Sequence, residues 1–152
     1  MGISRVTRVV LVATEQVRIP VSLTRVQRAA EAVLRAEKVS DAIVSITFVA
    51  DRRIAALNWK HLQHRGVTDV ISFGFAPVTQ GGTLTGDVYI APDVARGNAL
   101  ANGVGVREEL LRLVVHGTLH VIGYDHPVDE ARYASPMWRR QERLLRKVLV
   151  SA

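Results

Sequence analysis

Apolar and polar positions change their period along the chain in a way that marks out nine elements. Val6 to Ala13 is rich in β-branched residues and predicts a strand. Thr24 with Gln27 three residues later has the form of a capping box, and Val26, Ala29, Ala30, Val33 and Leu34 then recur at helical spacing to about Lys38. Val44, Ile46 and Phe48 alternate with Ser45 and Thr47, the period of a half-buried strand. Asp51 is placed to cap a short helix that turns Ile54 and Leu57 inward and ends near His61. Val70 to Phe75 is a further apolar strand. The three Gly, three Thr and one Pro of Ala76 to Gly86 predict a long hairpin loop, after which Asp87 to Ala91 returns antiparallel. Pro92 opens a helix to about Asn102, Val106 to Ile122 is an apolar helix with Glu108 and Glu109 in its first turn, and Ser135 to Val150 is the last helix. The order β-α-β-α-β-β-α-α-α predicts an α/β sandwich, a small mixed sheet covered by about five helices.

Length and composition narrow the chemistry. At 152 residues, residues 1–152 read as a single domain with no repeat or linker, and the 48% hydrophobic and 22% charged content is that of a globular chain. The absence of cysteine excludes disulfides, iron–sulfur clusters, thiolate zinc and a Cys nucleophile. Apolar runs such as Val9 to Ala13 are too short for a membrane span or a secretory signal core, so the expectation is a cytoplasmic protein. A net charge of +6 favours polyanions, but 17 of the 20 cations are arginine, which a GC-rich genome alone can produce.

Three of the five histidines fall between His116 and His126. On a helix, residues four apart differ by about 40° in azimuth and about 6 Å in height, so His116 and His120 project from one face. His126 cannot join them on a continuous helix, because ten residues add about 15 Å of rise and about 280° of rotation. Gly123 lies where the helix must stop, Tyr124 and Asp125 would carry the chain back, and Pro127 discourages renewed helix. Three imidazoles suit one zinc ion and leave a fourth position for water, the arrangement of a catalytic site. The spacing reproduces the metal-ligand frame of H-E-x-x-H-x-x-G-x-x-H except after the first His, where Gly117 replaces the Glu that serves peptidases as base. Peptidase chemistry is therefore disfavoured, and a phosphodiester in a basic surround fits better.

This cluster, H-G-x-L-H-x-x-G-Y-D-H, resembles the signature of the YbeY-type endoribonucleases, the rRNA maturation enzymes of bacteria. Leu57-Asn58, Thr68 to Phe73, Gly86 to Ile90, and Met137 followed by Glu142 agree with it, so the resemblance spans about residues 45 to 150. It implies a mixed four-stranded sheet with helices and a single-strand-specific, zinc-dependent endoribonuclease. The implied roles are small-subunit rRNA 3′-end maturation and ribosome quality control, with RNA and the small ribosomal subunit as partners. Carried over by position, the zinc ligands are His116, His120 and His126. The family usually has Tyr-Arg a few residues after Leu-Asn, with the Arg engaging substrate. An ungapped match places His61 and Leu62 there, so Arg65 or Lys60 becomes the candidate for phosphate contact.

Other residues leave alternatives open. Asp125 can hold a ligand histidine's second nitrogen, close the metal site as a fourth ligand, act as the catalytic base, or cap the turn. Asp69 either hydrogen-bonds to the site or begins a strand. Arg139, Arg140, Arg143, Arg146 and Lys147 make the last helix basic, as a solvated face or an RNA track. Trp59 and Trp138 are candidates for base stacking or for packing. The competing functional readings are a zinc hydrolase of another bond and an RNA- or ribosome-binding module with a structural metal.

Overall fold

The computed structural model describes residues 6–77 and 79–151. Four strands, β1 (Thr7–Thr14), β2 (Asp41–Phe48), β3 (Val70–Phe75) and β4 (Leu84–Ile90), form one sheet in the order β1-β2-β4-β3. β1 and β4 each pair parallel with β2, and β3 pairs antiparallel with β4. The helices are α1 (Leu23–Ala36), α2 (Asp51–Leu57), α3 (Pro92–Asn102), α4 (Val106–Ile122) and α5 (Pro136–Val150). A π-helical turn, Asn58–Leu62, extends α2, and a 3-10 turn, Glu130–Ala134, precedes α5. The expected class, a mixed four-stranded sheet with five helices, is the one observed.

Alternation in β2 sends Ala42, Val44, Ile46 and Phe48 into the main core, where they meet Leu84, Val88 and Ile90 of β4. The apolar stripe of α1 buries Val26, Ala29, Ala30, Val33 and Leu34 in the same core, the five positions its periodicity picks out. A smaller cluster on the opposite sheet face joins Ile54 and Leu57 of α2 to Val49, Ile71 and Ala91. α4 is the central helix: it packs on β3 and β4 and touches α1, α3 and α5. Its first-turn Glu108 and Glu109 suit the positive end of the helix dipole.

Local boundaries depart from the sequence reading in three places. The cap of α1 is Ser22, whose side chain accepts from the Arg25 backbone N–H, while Gln27 spends its amide on the Val10 carbonyl of β1. Asp51 does not cap α2; the extended Ala50 holds that position and Asp51 is the first helical residue. β4 begins at Leu84, earlier than expected, because Thr85 and Gly86 pair with Phe75 and Gly74 and are ladder residues, not turn residues.

Those two paired glycines serve close approach. A Cβ on Gly86 would lie 2.3 Å from Val121 Cγ1, and one on Gly74 would lie 2.4 Å from the Val121 carbonyl oxygen. Gly117 in mid-helix does the same from the other side, since a Cβ there would meet Val88 Cγ1 at 2.5 Å. These contacts bring the histidine-bearing end of α4 directly onto the sheet.

Candidate metal centre

His116 and His120 project from one face of α4, and the helix ends at Gly123, whose φ of 126° is open to glycine and strained for other residues. The Gly123 and Tyr124 backbone N–H groups close the last turn on the Leu119 carbonyl. The reversed chain then delivers His126. Ring centroids lie 4.6 Å apart for His116–His120, 5.1 Å for His116–His126 and 4.9 Å for His120–His126, a nearly equilateral triangle. One nitrogen from each ring falls within 4.8 Å of the other two.

The hydrogen bonds assign the ring nitrogens. His120 Nδ1 faces the Tyr124 carbonyl at 2.9 Å, and His126 Nδ1 faces the Pro127 carbonyl at 2.7 Å. A carbonyl can only accept, so both Nδ1 atoms carry the proton and donate. His116 Nδ1 lies 2.6 Å from Gln141 Oε1. The Gln141 amide is itself oriented, because its Nε2 donates to Glu142 Oε2 at 3.0 Å and a carboxylate does not donate. Glu142 in turn accepts from Arg112 Nε at 3.0 Å, and Arg112 also binds Glu109 and Glu108 at 2.7 and 3.0 Å. Each imidazole therefore has Nδ1 committed and Nε2 as the lone-pair atom, the state a metal ligand needs. The donor set fits zinc: three neutral imidazoles with their second nitrogens fixed.

Burial favours the neutral form. It lowers the His116 pKa to about 4, against the opposing bond to Gln141 and with help from His120, His126 and Arg132. Burial lowers His120 too, partly offset by its bond to Tyr124. The nearby Asp69 carboxyl is pushed up by burial and pulled back by backbone hydrogen bonds and the charge of Arg132.

An open cleft of about 880 Å³ passes over the triad. Leu62, Asp69, Asn98, Arg112, Asp125, Arg132, Tyr133 and Trp138 are among the residues that line it. Between holding a ligand histidine's second nitrogen and capping the turn, Asp125 does the latter: its Oδ1 accepts from the His126 backbone N–H at 2.8 Å, while the three Nδ1 atoms go to other acceptors. Its carboxylate nonetheless borders the cleft and is not among the residues grouped as metal donors. Asp69 directly precedes β3 and accepts from Asn98 Nδ2 at 3.2 Å; its side-chain partners do not include a histidine.

Leu62 lines the cleft, whereas Lys60 and Arg65 do not; Arg65 stacks over the exposed Trp59 ring at 5.1 Å. Trp138 meets Tyr133 edge-on at 4.7 Å. In the basic stripe of α5, Arg140 is spent on Glu37, 2.6 Å away, which also accepts from the Tyr124 hydroxyl. Sequence reasoning missed Gln141, Arg112, Arg132 and Tyr133. Only helical spacing along α5, which turns Gln141 toward the core side with Leu144, Leu145 and Val148, carried a signal for the first of them.

A mixed sheet backing a helix with two imidazoles, and a reversal that adds a third, define an α/β protein with a tri-histidine cluster that could hold a metal ion. The family model described as Endoribonuclease YbeY matches residues 11–149, and the chain belongs to that family. A relative of that name from Frankia alni is 36% identical over 148 residues, covering 90% of this chain and 80% of its own. One from Anaeromyxobacter dehalogenans is 43% identical over 107 residues, 69% of this chain and 55% of the relative. The chain thus matches little more than half the length of the two Anaeromyxobacter relatives, 55% and 58%. A solution structure of a Thermotoga maritima protein shares the fold, with a TM-score of 0.60 at 23% identity over 91% of this chain and 88% of that one.

Proposed function

We propose that this chain is a zinc-dependent endoribonuclease that cuts single-stranded RNA, with one ion per chain. The observation that carries the reading is the convergence of three imidazoles, each with Nδ1 occupied, on the wall of an open cleft. Family membership supplies the bond type, and the +6 net charge suits a polyanionic substrate.

His116, His120 and His126 would hold the ion, which when bound acts as a Lewis acid toward a phosphodiester oxygen and acidifies water. The chain's own residues do the rest. Gln141 and the carbonyls of Tyr124 and Pro127 hold the rings in one tautomer, so no reorganisation is needed when substrate arrives. Asp125, at the cleft edge, is the candidate proton acceptor. Gly117 leaves no base at the peptidase position, and the 2.5 Å approach to Val88 leaves no room for one. Lys60 and Arg65, outside the cleft lining, are candidates for contacts to RNA phosphates leading away from the cut. An Arg65→Ala variant should then bind RNA more weakly; unchanged binding and cutting removes Arg65 from the scheme.

The finer reading is cytoplasmic 3′-end maturation of small-subunit rRNA, together with ribosome quality control on the small subunit. The deciding experiment pairs metal analysis with cleavage of an unstructured RNA, a duplex and a 3′-extended small-subunit rRNA fragment. Stoichiometric zinc, cutting of the unstructured RNA and of the rRNA extension, and loss of metal and cutting in a folded His120→Ala variant are expected. Zinc-loaded protein that leaves every RNA intact would overturn the proposal.

A further inference from the structure

Among the described residues two guanidinium groups border the cleft, Arg112 and Arg132, and their states differ. Arg112 is saturated by Glu108, Glu109 and Glu142. Arg132 takes part in none of the ion pairs among the described residues. Its Nη2 donates to the Tyr133 hydroxyl at 2.9 Å, its guanidinium carbon sits 4.9 Å above the Tyr133 ring, and its Nε is buried with no acceptor among the described residues. A buried donor without a partner calls for an explanation, and a ligand that brings an acceptor provides one.

The ring beneath it is available as well. Tyr133 is 50% exposed and is braced edge-on by Trp138, which also lines the cleft. A planar fork with an open donor beside an exposed, braced aromatic ring offers a phosphodiester and a nucleobase what each requires: paired N–H donors and a stacking face. We infer that Arg132 and Tyr133 form a nucleotide subsite beside the metal centre, with Arg132 on an RNA phosphate and Tyr133 against the attached base. The subsite rests on the endoribonuclease reading and specifies its substrate-holding side. It lies on the 3-10 turn Glu130–Ala134, in the lining of the cleft that Arg65 does not join.

The test is fluorescence anisotropy with a cleavage-resistant 2′-O-methyl oligoribonucleotide at several salt concentrations, using zinc-loaded wild type, Arg132→Gln and Tyr133→Ala. Arg132→Gln should bind on the order of tenfold more weakly, and its log–log salt slope should be shallower by about 0.7, one phosphate contact to a single strand. Tyr133→Ala should lose several-fold in affinity with the slope unchanged. Because the Tyr133 ring is exposed, that variant decides the matter if Arg132→Gln fails to fold or to keep zinc. Wild-type affinity and slope in a folded Arg132→Gln variant, or wild-type affinity in Tyr133→Ala, would overturn the subsite while leaving the nuclease reading in place. Wild-type protein that neither binds nor cuts RNA would instead overturn the nuclease reading itself.

Discussion

Gln141 is 1% exposed, and its amide is the one side-chain group that decides which nitrogen of His116 faces the cleft. Replacing it with Leu keeps much of the volume but leaves the His116 Nδ1–H without an acceptor, and changes of this kind typically cost about 10- to 100-fold in metal affinity. Chelator competition on Gln141→Leu should show that loss, while Glu142→Gln, which permits the Gln141 amide to flip, should show a smaller one. Unchanged affinity in both variants would mean that the rings hold their orientation without the Arg112–Glu142–Gln141 chain. His116 itself sets a pH dependence. The His116 pKa is lowered from 6.5 to about 4 in the folded, metal-free protein, so between those values the unfolded chain binds more protons. The stability due to neutral His116 is present above about 6.5 and is lost as pH falls toward 4. Asp69 and Glu109, whose carboxyl pKa values burial raises, act in the opposite sense from lower starting points of 3.8 and 4.5. Urea midpoints of wild type relative to a His116→Phe variant isolate the histidine contribution, and their difference should shrink from pH 7 to pH 4.5. A constant difference would contradict it.

At the scale of elements, α4 is both the centre of the core and the carrier of the site. Gly117 would be read from sequence as the loss of a base; the fold shows that it also admits the helix to the sheet. Gly117→Ala places a methyl 2.5 Å from Val88 Cγ1 in a buried, fully packed region, an overpacking that typically costs about 1 to 3 kcal/mol. Thermal unfolding should show a clear fall in Tm, although Ala is the better helix former, and a rise in Tm would contradict the packing argument. The reversal after α4 is tied down from outside: the Tyr124 hydroxyl and Arg140 both engage Glu37 beyond the end of α1. Tyr124→Phe should therefore weaken metal binding modestly while leaving the fold intact, as judged by circular dichroism and chelator competition. The elements themselves were largely legible because their apolar periods run unbroken, as in α1 and β2. The misplaced starts of α1 and β4 share one cause: capping and turn residues such as Thr24 and Thr85 are chosen between by tertiary partners, here the Ser22 cap and the Gly74–Gly86 pairing.

For the whole molecule, the main core is built from β1, β2, β4, α1, α3, α4 and α5 side chains, and none of the three histidines is part of it. Removing metal with a chelator should lower Tm by the linked binding energy and leave far-UV circular dichroism unchanged. Collapse of the spectrum on chelation would mark the site as structural and favour a binding module over an enzyme. Sequence alone determined the fold class, the two in-register histidines and the glycine stop that frees the third. These are properties of local geometry: a 3.6-residue period, a positive-φ residue and a chain too short to escape its own helix end. Tertiary structure decided which nitrogen His116 presents, that Glu142 joins Glu108 and Glu109 on Arg112, and that Arg132 stands in the cleft lining without an ion pair among the described residues. Those depend on groups such as Gln141, 25 positions from His116, and no local period encodes which distant side chain will arrive beside a given one.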